Sequence, residues 1–330
     1  MFVRSCVFGL LLVPALAQAT AIQDLAGRQI DRLKAVCTRA DNVLDPLAEL
    51  KAREKPEDWR AYLAFDQLSW ADLAHEPACK AAMVENTREG MAFVIANEDP
   101  SSNWINMARG QESRALLRQA VSGPAGERDA RLAQAEALIA TYIAGEAHAK
   151  DPKDVARGMA YYFVAHGYLD AAKVAERPED VDAMLAKALQ TARDGMAHAT
   201  DKSELVEPYG IALGEMAKRA TKGSPEWRKA IEESIAAFST VSATDPLAAY
   251  NIAVDHVLLD DMPAAKNDLQ ALADAHRIDD QICVGFLSDK DLEPLRTSDT
   301  PWFVGFVKAQ CQPTLERVRR QLATMRPQRD

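Results

Sequence analysis

The sequence predicts an all-α protein, an irregular α-solenoid of stacked helical hairpins. Alanine is abundant while aromatic residues make up only 6% of the chain, a composition that favours closely packed helices over a β-sheet. Apolar residues recur at intervals of three and four along most of the sequence, which is the helical period. Asp-Pro dipeptides begin at Asp45, Asp99, Asp151 and Asp245, and this dipeptide is typical of helix starts. Their unequal spacing makes the array irregular.

The first residues, 1–21, predict a cleaved signal peptide. Arg4 precedes an apolar run over 6–17, and small-x-small cleavage sites end at Ala19 and Ala21. The run is too short to span a bilayer. We therefore expect a periplasmic or secreted protein with no transmembrane segment after cleavage.

Export makes the cysteine count informative. Loss of Cys6 leaves Cys37, Cys79, Cys283 and Cys311, an even number that predicts disulfides in an oxidising compartment. They fall as two local pairs, although three connectivities are formally possible, and buried free thiols or a metal site are the alternatives. No Cys-x-x-Cys is present and the histidines are scattered, so disulfides are favoured over a metal.

Helical periodicity predicts the elements of the mature chain in order. In the N-terminal helical region, 22–150, it predicts helices over 22–40, 43–53, 57–75, 77–95, 104–121 and 127–149. The third of these carries an aromatic cluster that we expect in the core: Trp59, Tyr62, Phe65 and Trp70. In the C-terminal region, 151–330, further helices are predicted over 205–220 and 226–240, followed by the clearest pair at 245–276.

That pair has two successive helical patterns, the second with Ala265 and Leu269 on its apolar face. In this order residues 245–276 resemble a tetratricopeptide repeat, with Ile252–Ala253 and Ala265 at its small-residue contacts. Residues 155–173 are similar to the same repeat, with Gly167 in the turn and Ala172 in the second helix.

The carboxyl end resembles the segment that often closes such arrays. A short acidic turn within 286–296 precedes Trp302-Phe303. Pro313 is expected to break the next helix. A capping helix is predicted after it, with an apolar stripe formed by Leu315, Val318, Leu322 and Met325.

The resemblance implies ligand binding in a groove lined by first helices. The corresponding positions hold Tyr250, Asn251, Val254 and Val257. These lack the cationic residues with which some members clamp a peptide's terminal carboxylate. An apolar or aromatic peptide segment, or the protein's own next helix, is expected to cover this surface instead.

Sequence motifs for catalysis, nucleotide binding or metal binding are missing, so we expect no cofactor. His256 and Asp260 share a helix face and could hold a metal, but His256 occupies a position that normally packs on the partner helix. The formal net charge of −10 argues against nucleic-acid binding. Five arginines near the carboxyl end, Arg317, Arg319, Arg320, Arg326 and Arg329, could dock an anionic partner, but a solvated cap face with a loose tail is expected.

The sequence therefore predicts an exported binding or scaffolding module of the cell envelope, with a protein or peptide partner of unknown identity. One alternative is an all-helical envelope enzyme, for example one acting on peptidoglycan, which would need a cleft with a desolvated acid of perturbed pKa. The other is a chaperone-like carrier, which would need a large exposed apolar groove.

Overall fold

The computed structural model describes residues 21, 24–37, 67–74, 76–99, 102–146 and 151–325. Across these ranges all regular structure is helical and no strand is present. Consecutive helices pack as neighbours, so the predicted all-α, solenoid-like fold class is confirmed. Residues 38–66, with the helix predicted over 43–53 and most of the aromatic cluster, lie outside the described part, as does the Trp70 side chain.

The chain divides into two compact units, Met1–Asp201 and Lys202–Asp330. The described helices of the first unit are α1 (24–36), α2 (Gln67–Leu73), α3 (Pro77–Asn97), α4 (Asn103–Ser122), α5 (Arg128–Glu146), α6 (Pro152–Arg157), α7 (Met159–Val174) and α8 (Pro178–His198). Those of the second are α9 (Ser203–Arg219), α10 (Pro225–Ser239), α11 (Pro246–Leu258), α12 (Met262–Asp274), α13 (Asp280–Ser288), α14 (Glu293–Ser298) and α15 (Thr300–Met325), with a 3₁₀ turn at Lys290–Leu292.

In the first unit, α4 is the central described helix. It packs against α3, α5 and α7, and α7 pairs with α8. An ion pair of 2.5 Å between Arg114 on α4 and Asp170 on α7 accompanies this packing. The predicted domain boundary after residue 150 therefore differs from the structural division, because the helices of 152–198 pack on the N-terminal ones.

Two of the Asp-Pro dipeptides start helices as predicted. The Asp151 carboxylate accepts a hydrogen bond from the Lys153 amide at 2.8 Å, and Asp245 accepts one from the Leu247 amide, also at 2.8 Å. In each case the following proline occupies the first helical turn, where its missing N–H leaves no intrahelical bond unmade.

The turn predicted at Gly167 is wrong. The helix α7 runs unbroken through this residue, and the chain turns instead at Gly158, whose φ is 63°. A Cβ on Gly167 would lie 2.8 Å from the Cγ atom of Arg114. Glycine is therefore needed there for the close approach of α4 and not for a turn.

In the second unit, α9 to α12 pack as successive neighbours. Residues 245–276 form two packed helices, with the turn at Asp260 in the left-handed region (φ 61°). Ala265 and Leu269 are completely buried between α11, α12 and the helices that follow.

The helix break predicted at Pro313 is also wrong. Pro313 lies inside the continuous helix α15. Contacts on both sides of it hold the helix to α13: Cys311 forms a disulfide with Cys283, and the Thr314 hydroxyl donates to the Asp280 carboxylate at 2.5 Å. These contacts offset the hydrogen bond that proline cannot make. The apolar stripe predicted beyond Pro313 falls on side chains outside the described part.

All four predicted cysteines are paired. Cys37 is joined to Cys79 with a Cα–Cα distance of 4.8 Å, and Cys283 is joined to Cys311 at 5.6 Å. Each cysteine is therefore joined to its neighbour in the cysteine order, which is the local pairing that the sequence suggested. Both bonds are compatible with an oxidising, extracytoplasmic environment.

Candidate functional site

The candidate site in the second unit is centred on Asp255. This residue lies on α11 between two apolar residues of the core, Val254 and Val257, and only 4% of its surface is exposed. α11 is apolar on more than one face because other helices cover it from several sides. Asp255 therefore faces the protein interior, whereas an aspartate on a helix surface normally faces water.

The Asp255 carboxyl group is poorly satisfied. Its Oδ2 atom is buried and has no hydrogen-bond partner. The Ser234 hydroxyl of α10 donates instead to the carbonyl of Gly210 on α9 at 3.1 Å. A Cβ on Gly214 would lie 3.6 Å from Asp255 Oδ1, so α9 passes directly over the acid.

Charged groups surround the carboxyl without pairing with it. Lys218 on α9 donates to Glu215 Oε1 at 2.6 Å and to Asp291 Oδ2 at 2.7 Å. Burial lowers the pKa of Lys218, but these two hydrogen bonds outweigh that effect and its pKa is raised. The ammonium group therefore stays charged and is already shared by two carboxylates.

The pKa of Asp255 is raised to about 7, chiefly by burial. The nearby Ser234 hydroxyl and the charge of Lys218 lower it, while the negative charge of Asp291 raises it. The effect of burial on the pKa is the largest one, because the carboxylate loses the stabilisation of its hydration shell and the nearby groups replace only part of it. Asp255 can thus gain or lose a proton near neutral pH.

A tyrosine fixes the 3₁₀ turn on this side of α11. The Tyr250 hydroxyl donates to Asp289 Oδ2 at 2.9 Å, and the Asp291 amide donates to Asp289 Oδ1 at 2.9 Å. Burial and the charge of Asp289 raise the pKa of Tyr250. Arg296 donates to the Asp289 carbonyl, so the turn that carries Asp291 is anchored at several points.

The residues predicted to line a partner groove are mostly buried. Tyr250, Val254 and Val257 are 4%, 8% and 1% exposed and belong to one core cluster with Leu269. Asn251 is half-buried. The sequence left two candidates to cover this surface, a peptide segment or the protein's own next helix. In the structure the protein's own helices cover it.

His256 and Asp260 do not come together. His256 Nδ1 lies 2.6 Å from Asp268 Oδ2 on α12, and Asp260 pairs with Lys222 at 2.8 Å. His256 thus contacts the partner helix, as its position predicted. Among the described residues, no group of three His, Cys, Asp or Glu side chains is placed to hold a metal ion.

Of the terminal arginines, Arg317 has a described partner. It pairs with Asp280 on α13, and this contact with the Asp280–Thr314 hydrogen bond lowers the pKa of Asp280. Arg317 therefore ties α15 to α13. The side chains of the other four lie outside the described part.

Sequence analysis missed Asp255 as a site residue. A signal was present, since an aspartate interrupts an apolar run of α11. An aspartate one position to either side of a buried face is common, however, and only the tertiary packing shows that α9 and α10 enclose this one.

Comparisons with protein-family models, with curated protein sequences and with solved structures find no match for this chain. The tetratricopeptide resemblance accordingly stays a prediction. Within the described ranges, none of the helices combines the length and the apolarity that crossing a bilayer demands.

Proposed function

We propose that this is an exported helical-repeat protein that binds a protein or peptide partner in the cell envelope. The two disulfides support the compartment, because such bonds persist where thiols are not kept reduced. Removal of the predicted signal peptide should give a mature chain beginning near Thr20 or Ile22. Amino-terminal sequencing of the exported protein tests this, and retention of Met1 would contradict export.

The observation that carries the binding proposal is an exposed apolar pair on α13. Val284 and Leu287 lie one helical turn apart and are 51% and 58% exposed. The opposite face of α13 is buried through Ile282, Cys283 and Phe286, and its disulfide to α15 holds the helix in place. Rigid apolar side chains on a fixed helix favour docking of an apolar segment, since little ordering entropy is lost on binding.

The test is capture of partners from envelope extract by the mature protein. We expect a partner retained by the native protein and lost by the double variant Val284→Asp/Leu287→Asp. The double variant Asn267→Asp/Ala271→Asp is the matched control, because it adds the same two charges at exposed positions of α12 and should leave capture unchanged. Equal capture by all three proteins would contradict docking at this face.

Asp255 supplies one of the two features that a second candidate function, an enzyme of the envelope, would need: it is a desolvated acid of perturbed pKa, although α9 and α10 enclose it. A desolvated carboxylic acid with a pKa near 7 has the proton affinity that a general acid needs at neutral pH. The test is release of soluble fragments from peptidoglycan by the native protein and by Asp255→Asn. Release that depends on Asp255 would support an enzyme, and no release by the native protein would contradict this activity.

A further inference from the structure

The exposed apolar side chains of α13 continue onto α15. Besides Val284 and Leu287, Val304 near the start of α15 is 57% exposed, and we call these three residues the α13–α15 surface. They have the largest exposed fractions among the large apolar side chains of the described residues. Each directly follows a buried residue that joins the two helices, namely Cys283, Phe286 and Phe303.

The three side chains lie on the same side of the helix pair, because α13 and α15 run antiparallel. Asp280 at the start of α13 pairs with Arg317 late in α15. Phe286 near the end of α13 contacts Phe303 near the start of α15, with 6.3 Å between the ring centroids. One step along a helix turns the side chain by about 100°. Since antiparallel helices turn in opposite senses when viewed from one end, the residue after a contact residue faces the same side on both.

The charge left unpaired around this surface is positive. Every acidic side chain of residues 279–316 has a hydrogen-bond or ion-pair partner. Lys308 lies one turn after Val304 on α15, and Lys290 lies in the turn that follows α13. Both lysines are exposed, and neither is paired with an acid of the described residues. This local excess contrasts with the formal net charge of −10 of the whole protein.

We propose that the α13–α15 surface binds a partner segment that is apolar on one face and carries carboxylates beside that face. This inference rests on the binding function proposed above and adds the chemistry of the partner. Apolar side chains of the segment pack on the three exposed residues, and its carboxylates pair with Lys290 and Lys308 at the rim. A basic segment would meet two lysines and no free acid.

The same charges disfavour the two other occupants of an exposed apolar face. A second copy docked through this surface would bring its own lysines to it and no free carboxylate to pair with them. An anionic lipid surface would attract the lysines but repel a protein that is acidic as a whole.

Selection of random peptides displayed on phage, with the mature native protein as bait, tests the proposal. We expect selected peptides in which apolar residues recur at intervals of three or four and in which Asp and Glu outnumber Lys and Arg. Binding of these peptides should weaken at least about tenfold in Leu287→Asp. Selected peptides that are mainly basic, or that bind Leu287→Asp as well as the native protein, would overturn the proposal.

Lys308→Glu separates the role of charge from that of apolar contact. In fluorescence anisotropy at low salt, a selected acidic peptide should bind this variant about fivefold more weakly than the native protein. Lys153→Glu is the matched control, because it makes the same change at an exposed position of α6 in the first unit and should bind as the native protein does.

The outcomes distinguish this inference from the binding function beneath it. Equal binding of the acidic peptide by Lys308→Glu and the native protein would overturn the acidic partner and leave docking on α13 in place. Partner capture that is unaffected by Val284→Asp/Leu287→Asp would instead overturn docking itself.

Two sedimentation measurements test the other occupants. A native dimer that becomes monomeric in Leu287→Asp would assign the surface to a second copy of the chain. Sedimentation with phosphatidylglycerol vesicles that is lost in Lys308→Glu would assign it to a lipid surface. We expect neither result, and either one would overturn the proposal.

Discussion

Substituting Ala265 with glutamate tests the packing of the hairpin at 245–276. Ala265 is completely buried in the core cluster of the second unit, so the new side chain has no free space and must displace its neighbours. Overpacking of this kind costs about 1–3 kcal/mol. A buried carboxyl group without a partner adds about 1–3 kcal/mol even when it is neutral.

Asp255 illustrates how burial in this unit acts on a carboxyl group, since burial raises its pKa from the ordinary value of 3.8 to about 7. Burial at position 265 should likewise raise the pKa of the new acid and favour its neutral form at pH 7. We expect Ala265→Glu to lose at least about 3 kcal/mol of unfolding free energy.

Thermal melts followed by circular dichroism measure the effect. For a unit of this size, the loss should lower the melting temperature by about 10 °C. Ala271→Glu is the matched control, because it places the same group at an exposed position of the same helix and should change stability by no more than about 0.5 kcal/mol. If Ala265→Glu melts no lower than Ala271→Glu, the packing of α12 described above is refuted.

Three further predictions concern a covalent bond, a close contact and a buried ion pair. Replacing Cys283 and Cys311 with serine opens a 28-residue loop and should cost about 3–4 kcal/mol in chemical denaturation; labelling of both thiols in the unreduced native protein would contradict the bond. Gly210→Ala brings a Cβ to 2.4 Å from a phenylalanine ring atom of α10 and should destabilise the protein by about 1–3 kcal/mol. Gly214→Ala lies one turn later, where there is space for a Cβ, and should stabilise it by up to about 1 kcal/mol through helix propensity. Equal effects of the two substitutions on stability would exclude the close contact at Gly210. Asp180 is completely buried, and two arginine hydrogen bonds outweigh burial and lower its pKa, so Asp180→Asn should lose about 2–3 kcal/mol at pH 7. Because the native pKa is depressed, that difference should disappear as pH falls from about 4 through the folded-state value; a difference that persists in acid would contradict the ion pair.

Local patterns predicted the helices well where caps and periodicity agree. The helix expected over 226–240 spans Pro225–Ser239, and the one expected over 205–220 spans Ser203–Arg219. Each signal lies within a few residues of the element it defines, so no tertiary information is needed. The same locality explains why Asp151 and Asp245 marked helix starts correctly.

The errors arose where a distant residue decides the local structure. Gly167 is suited both to a turn and to a close helix contact, and the choice depends on Arg114, which is far away in sequence. Pro313 continues a helix because a disulfide and a hydrogen bond to α13 support it. The burial of Asp255 likewise depends on α9 and α10, which no spacing within α11 reveals.

The consecutive pairing of the cysteines bears on how the chain can mature. When a polypeptide emerges amino end first, Cys37 meets Cys79 long before Cys283 has appeared, and Cys311 then finds Cys283 as the remaining thiol. The order of emergence favours this pairing over the two other connectivities. A chain with this arrangement can be oxidised correctly as it arrives, with no need for a later step that reshuffles its bonds.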